Sequence, residues 1–185
     1  MSTPGREDRF RVAVLPHLDS AFNLARWLTR SEPDAEDVVQ EAVLRAYRYF
    51  DRFHGADGRP WLMGIVRNTF YSWYEGNRLQ RASTPFDEDL HGADAPGAVQ
   101  AAPADDEPEM QLLRKQERHR LQRALEALPL EFREVLVLRE LEDLSYKEIA
   151  ALIDAPMGTV MSRLARGRKQ LAEALARAEG NHDGT

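Results

Sequence analysis

The sequence contains no cysteine, which excludes disulfides, thiolate nucleophiles and cysteine-built zinc or iron–sulfur sites. Long apolar runs are missing too: none approaches the roughly 18–20 residues of a membrane span, and Met1 to Phe10 is polar and mixed in charge, unlike an export signal. A cytoplasmic protein with no membrane insertion is expected. Histidines are few, at positions 17, 54, 91, 119 and 182, and no two share the helical spacing of a HExxH pair. No metal and no cofactor is expected. Absent as well are a GxSxG elbow, a GxxxxGK[ST] loop and a GxGxxG after a strand. With no catalytic constellation, the chain does not read as an enzyme.

One stretch lacks cations entirely. Residues 82–109 hold eight acidic side chains, four prolines and no Lys or Arg, whereas residues 1–81 hold 12 basic and 11 acidic groups and residues 110–185 hold 13 and 12. A segment so poor in large apolar groups does not bury enough surface to offset its ordering entropy, and it reads as a flexible acidic linker. The overall charge of -6 is thus mostly linker, and it does not argue against nucleic-acid binding by local basic faces. At 185 residues, the remainder suits two small domains, 1–81 and 110–185.

What is present is helical periodicity. Phe10, Val14, Leu18, Ala21, Phe22 and Ala25 recur at spacings of three and four, as do Ala35, Val38, Val39, Ala42, Val43 and Ala46 in DAEDVVQEAVLRAYRYF. Asp34 is placed to cap that second helix, with Asp37 in its first turn. After the loop FHGADGRP a third helix is expected from Trp61 to about Glu75. The second half predicts helices over 110–127, 130–140, 145–153 and 158–178, with Pro129 opening one and Ser145 and Glu148 forming a capping box for another. No segment alternates like a strand, so the fold class is all-α: two small helical domains, a helical bundle and a helix-turn-helix domain.

The last helix begins GTVMSRLARGRKQL. Thr159 and Ser162 are short donors near its start, and Arg163, Arg166, Arg168 and Lys169 are long cations farther along, the order a DNA-reading helix needs; a solvated basic face is the alternative. Lys147, on the preceding helix, is placed to hold a phosphate. In the first half, Asp34, Asp37, Gln40 and Glu41 share or border one helical face that suits a basic protein partner; an ordinary solvated acidic face is the alternative. Nine aromatics between 47 and 74, interspersed with arginines, exceed what three helices need as core. The excess suits stacking on unpaired bases.

These segments together resemble the extracytoplasmic-function (ECF) group of the sigma-70 family of bacterial RNA polymerase sigma factors. DAEDVVQEAVLRAYR resembles the family's core-polymerase-binding segment, PWLMGIVRN the helix after its promoter-melting loop, and LPLEFREVLVLRELEDLSYKEIAALIDAPMGTVMSRLARGRKQL its minus-thirty-five-reading domain. The resemblance implies a region 2-like domain over 1–81 and a region 4-like domain over 110–185. It implies that Asp34, Asp37, Gln40 and Glu41 meet the clamp helices of core RNA polymerase. It implies that Phe53, His54, Arg59, Asn68 and Tyr71 capture a melted minus-ten strand of promoter DNA, at an unpairing cost of a few kcal/mol. Lys147, Thr159, Ser162, Arg163 and Arg166 are the implied minus-thirty-five contacts, with Arg168 and Lys169 auxiliary. An anti-sigma factor as inhibitory partner, and control by stress, are further implications. Met161 departs from the Lys or Arg usual in the family, and TFYSWYEGNR departs from the usual continuation after the Arg-Asn pair.

Two other readings fit parts of the sequence. A stand-alone helix-turn-helix regulator predicts a dimer on half-sites about 34 Å apart, although no dimerisation helix is evident. A scaffold binding only proteins predicts no dependence on promoter DNA.

Overall fold

The computed structural model describes residues 5–83 and 108–180, all of whose regular elements are helical. The expected linker, 82–109, lies outside the described residues except at its ends, where 82–83 complete one helix and 108–109 begin the next. The first half contains α1 (Arg6–Val14), α2 (Leu18–Thr29), α3 (Glu32–Tyr49) and α4 (Gly58–Ser83). The second contains α5 (Pro108–Glu126), α6 (Leu130–Leu136), α7 (Tyr146–Leu152) and α8 (Met157–Gly180).

The first apolar series is not one helix. A single 3-10 turn, Leu15–His17, separates α1 from α2. Pro16 explains it, because its ring has no N–H to donate and clashes with the preceding helical turn. The start of α3 also differs from expectation. Ser31, not Asp34, is the cap: its hydroxyl accepts the Asp34 N–H at 3.4 Å, with Pro33 in the first turn where its missing N–H is harmless. Asp34 stays in that first turn, where the helix dipole favours a carboxylate. Helix α4 begins earlier and runs longer than its apolar periodicity predicts, from Gly58 rather than Trp61.

Gly58 fixes how α4 meets α1. A Cβ on it would lie 1.9 Å from the Ala13 carbonyl oxygen, so only glycine lets the backbones approach this closely. The loop before it, Phe53 to Asp57, is thereby held beside α1, with a cleft between the two.

Leu24, Val38, Leu62, Met63, Val66 and Phe70 fill the first half, and Val135, Leu138, Ile149, Val160 and Leu164 the second; the buried apolar residues of both form one continuous cluster. The halves meet where α2 and α4 pack on α6, α7 and the turn after α6. That turn is a short π-helix, Val137–Leu141, closed by the Glu142 N–H donating to the Val137 carbonyl at 3.0 Å. Widening the helix here re-aims the following residue, and Glu142 turns toward the first half, only 3% exposed.

Candidate nucleic-acid interface

The helix-turn-helix is built as its sequence predicts. Ser145 and Glu148 form a reciprocal cap at the start of α7, the Ser145 hydroxyl accepting the Glu148 N–H at 3.2 Å and the Glu148 carboxylate accepting the Ser145 N–H at 2.7 Å. Those hydrogen bonds hold the Glu148 carboxyl below the usual range. Asp154, at φ 52°, supplies the left-handed residue of the turn, a position glycine more often takes. In α8, Val160 and Leu164 are buried, and Gly167 lies against Leu136 and Phe132.

Of the candidate reading residues, Ser162, Arg166, Arg168, Lys169 and Lys147 are exposed, while Thr159 and Arg163 are half-buried. Two of the cations are held by carboxylates of their own domain. Arg163 lies 3.5 Å from Glu131, and Arg168 donates to Glu140 at 2.7 Å.

On α3, Asp37, Gln40 and Glu41 are exposed and Asp34 is half-buried. Glu41 pairs with Arg45 one turn along at 2.7 Å. This face packs on nothing among the described residues that would neutralise the remaining acids.

The third group is scattered. Phe53 is half-buried, stacked on Phe50 and tilted on Trp61 at a ring separation of 4.9 Å. Phe10 is edge-on to both Tyr47 and Phe50, so much of the aromatic excess counted in the sequence packs on itself. A cleft of about 360 Å³ opens beside Phe53, with Arg9, Val12, His17 and Asp57 among its walls. His54 and Asn68 are exposed. Arg59 and Tyr71 instead face the second half.

There they enter a line of charge that the sequence reading missed. Arg59 donates to the Glu142 carboxylate at 2.9 Å and to its carbonyl, and Asn23 donates to the same carboxylate. Arg67 donates to Glu134 at 2.6 Å and stacks over the Tyr71 ring, whose hydroxyl donates to Glu134 at 3.3 Å. Arg26 lies 3.7 Å from Glu126. In these three ion pairs the cation belongs to the first half and the carboxylate to the second. Burial pushes the Glu134 carboxyl above its usual range despite Arg67, and burial beside Glu134 pushes the Tyr71 hydroxyl up to about 12. Arg163 is close enough to act electrostatically on both. The signal available in the sequence was Glu134 standing in the apolar run LPLEFREVLVL, where a solvated carboxylate has no place.

The family model of sigma-70 region 2 matches residues 13–80, and that of sigma-70 region 4 matches residues 118–171. The ECF RNA polymerase sigma-E factor of Escherichia coli K12 is 36% identical over 169 residues, covering 90% of this chain and 86% of that protein. The chain is an ECF sigma factor of the sigma-70 family. The ECF sigma factor SigE of Mycolicibacterium smegmatis is 35% identical over 165 residues, which span 89% of this sigma factor and 60% of that longer relative. Among solved structures, the sigma factor RpoE of Bartonella quintana, in complex with the anti-sigma factor NepR, superposes with a TM-score of 0.70 at 27% identity, covering 91% of this chain and 97% of RpoE. CnrH, in complex with the cytosolic domain of CnrY, shares the fold with a TM-score of 0.60 at 24% identity, over 92% and 90% of the two chains. The region 2 match runs from the end of α1 into α4 as far as residue 80, and the region 4 match contains α7, the turn and α8 as far as residue 171. No helix among the described residues is long and apolar enough to cross a membrane.

Proposed function

We propose that this sigma factor works in the cytoplasm by joining core RNA polymerase to promoter DNA, with the polymerase supplying the phosphodiester chemistry. Asp34, Asp37, Gln40 and Glu41 on α3 are its contacts to the core enzyme, where charge pairing adds speed of encounter and specificity. Phe53, His54, Arg59, Asn68 and Tyr71 take the melted minus-ten strand, with the cleft beside Phe53 as the pocket for an unstacked base. Lys147, Thr159, Ser162, Arg163 and Arg166 take the minus-thirty-five duplex, with Arg168 and Lys169 secondary because Glu140 already engages Arg168. Residues 82–109 link the two domains, 1–81 and 110–185.

The observation that carries this reading is the distribution of its parts. One chain holds a region 2 match and a region 4 helix-turn-helix, and the cations on α2 and α4 are closed onto the carboxylates of the second domain. Arg59, Arg67 and Tyr71 are engaged in that seam, and Arg163 stands beside it, so the closed chain is a poor promoter binder. Core polymerase would spread the domains and release both DNA-reading surfaces. An anti-sigma factor, the kind of partner present in the RpoE complex, would act by holding the domains away from polymerase.

The experiment is transcription of a genomic-fragment library by purified core polymerase with and without this protein, followed by mapping of the starts. Protein-dependent starts sharing two upstream elements are the expected result, with Asp37→Lys abolishing them. No new starts, with a core preparation active with another sigma factor, would refute the reading.

A further inference from the structure

The outward surface of α8 differs from the one a charge count selects. Thr159 and Arg163 are half-buried, with Arg163 turned toward Glu131. Two exposed rows at spacings of four residues face away from the domain: Met157, Met161 and Ala165 in one, Gly158, Ser162 and Arg166 in the other. As far as Ala165 the first row carries no charge. Met157 and Met161 are 51% and 53% exposed, although the inner side of α8 is closed and neither is needed for core.

An unbranched, polarisable thioether in water gains by burial against any apolar group that fits it. In the major groove one base offers such a group at its edge, thymine with its C5-methyl, and small apolar side chains on reading helices meet it there. Ser162 and Arg166 stand in the neighbouring row, and Lys169 continues the first, so hydrogen bonding and phosphate contact flank the methionines without crossing them. A Lys or Arg at position 161 would instead reach for a phosphate or a guanine.

We propose that Met161, with Met157 and Ala165 beside it, reads thymine methyl groups in the minus-thirty-five element, so that part of this sigma factor's promoter choice comes from apolar contact. The inference rests on the assignment of α8 as the reading helix.

The test uses holoenzyme reconstituted from the full chain and core polymerase, on a promoter whose start depends on this protein. Each thymine of the protected upstream element is replaced in turn by deoxyuridine, which pairs identically and lacks only the methyl. Binding should weaken about three- to fivefold at one or two positions, the effect of one buried methyl. M161A should bind both versions equally at those positions. Equal binding of thymine and uracil promoters at every position by the unmodified protein, an element containing no thymine, or undiminished discrimination by M161A would overturn the inference. The reading of α8 stands separately if Arg166→Ala abolishes protection of the element. A holoenzyme that protects no upstream element overturns both.

Discussion

Two regions of this sigma factor spend their charge in opposite ways. Along the seam between the domains, the side chains of Glu134 and Glu142 are 1% and 4% exposed and each carboxylate meets a donor from the other domain. On the outer helices, Asp37, Arg166 and Lys169 stand in solvent, and the pair Arg168–Glu140 is about half-exposed on both sides. Buried pairs cost desolvation and tolerate no change of partner, so they define a state. Exposed charges are screened and individually worth little, which leaves them available to bind something else.

The largest expected effect follows from breaking the seam. Glu134→Ala leaves Arg67 beside a void in a closed interface, at a cost on the order of 3 kcal/mol to the closed form. Small-angle scattering should show the free protein expanding, with its helical circular dichroism retained. Next is Gly58→Ala, which drives a Cβ into the Ala13 carbonyl; a loss of roughly 2 kcal/mol in chemical denaturation is expected, together with weaker promoter opening as the Phe53 loop shifts. Ser145→Ala removes half of the capping box and should cost about 1 kcal/mol, confined to the second domain. Arg168→Ala, on the outer surface, should change stability by under about 0.5 kcal/mol, measured in the same way. If it costs as much as Glu134→Ala, the contrast between the regions is wrong.

Acidity sharpens the same contrast. Because burial raises the Glu134 carboxyl above the usual range in the closed form, while opening returns it to solvent, closing takes up protons. The closed form therefore gains as pH falls through the raised value of the closed form to the ordinary carboxylate value of 4.5, and it gains nothing more from this group below that. Glu134→Gln should remove this component of the pH dependence, measured by domain separation between about pH 8 and pH 5.

The elements were legible in the sequence wherever their cause was local. The Ser145–Glu148 cap, the apolar stripes of α3 and α8 and the turn before Met157 all depend on residues three or four apart. The break at Leu15–His17 was also local, written in Pro16, but the apolar spacing carried across it. The seam was illegible for a different reason. Arg67 and Glu134 are separated by 67 residues, Arg59 and Glu142 by 83, and Asn23 and Glu142 by 119, and no periodicity links them. The family resemblance implies Arg59 and Tyr71 as nucleic-acid ligands, and their chemistry, a cation and a phenol, equally suits a buried carboxylate.

On the proposed function, the free protein holds its two domains closed through the carboxylates of the second domain, and core polymerase parts them. The absence of cysteine makes it directly measurable: Glu36→Cys on α3 and Ala172→Cys on α8, both exposed, accept a donor and an acceptor dye without other sites. Single-molecule energy transfer should show one high-efficiency population in the free protein and one low-efficiency population after addition of core polymerase. The same efficiency in both, or a free protein already as open as Glu134→Ala, would contradict the account.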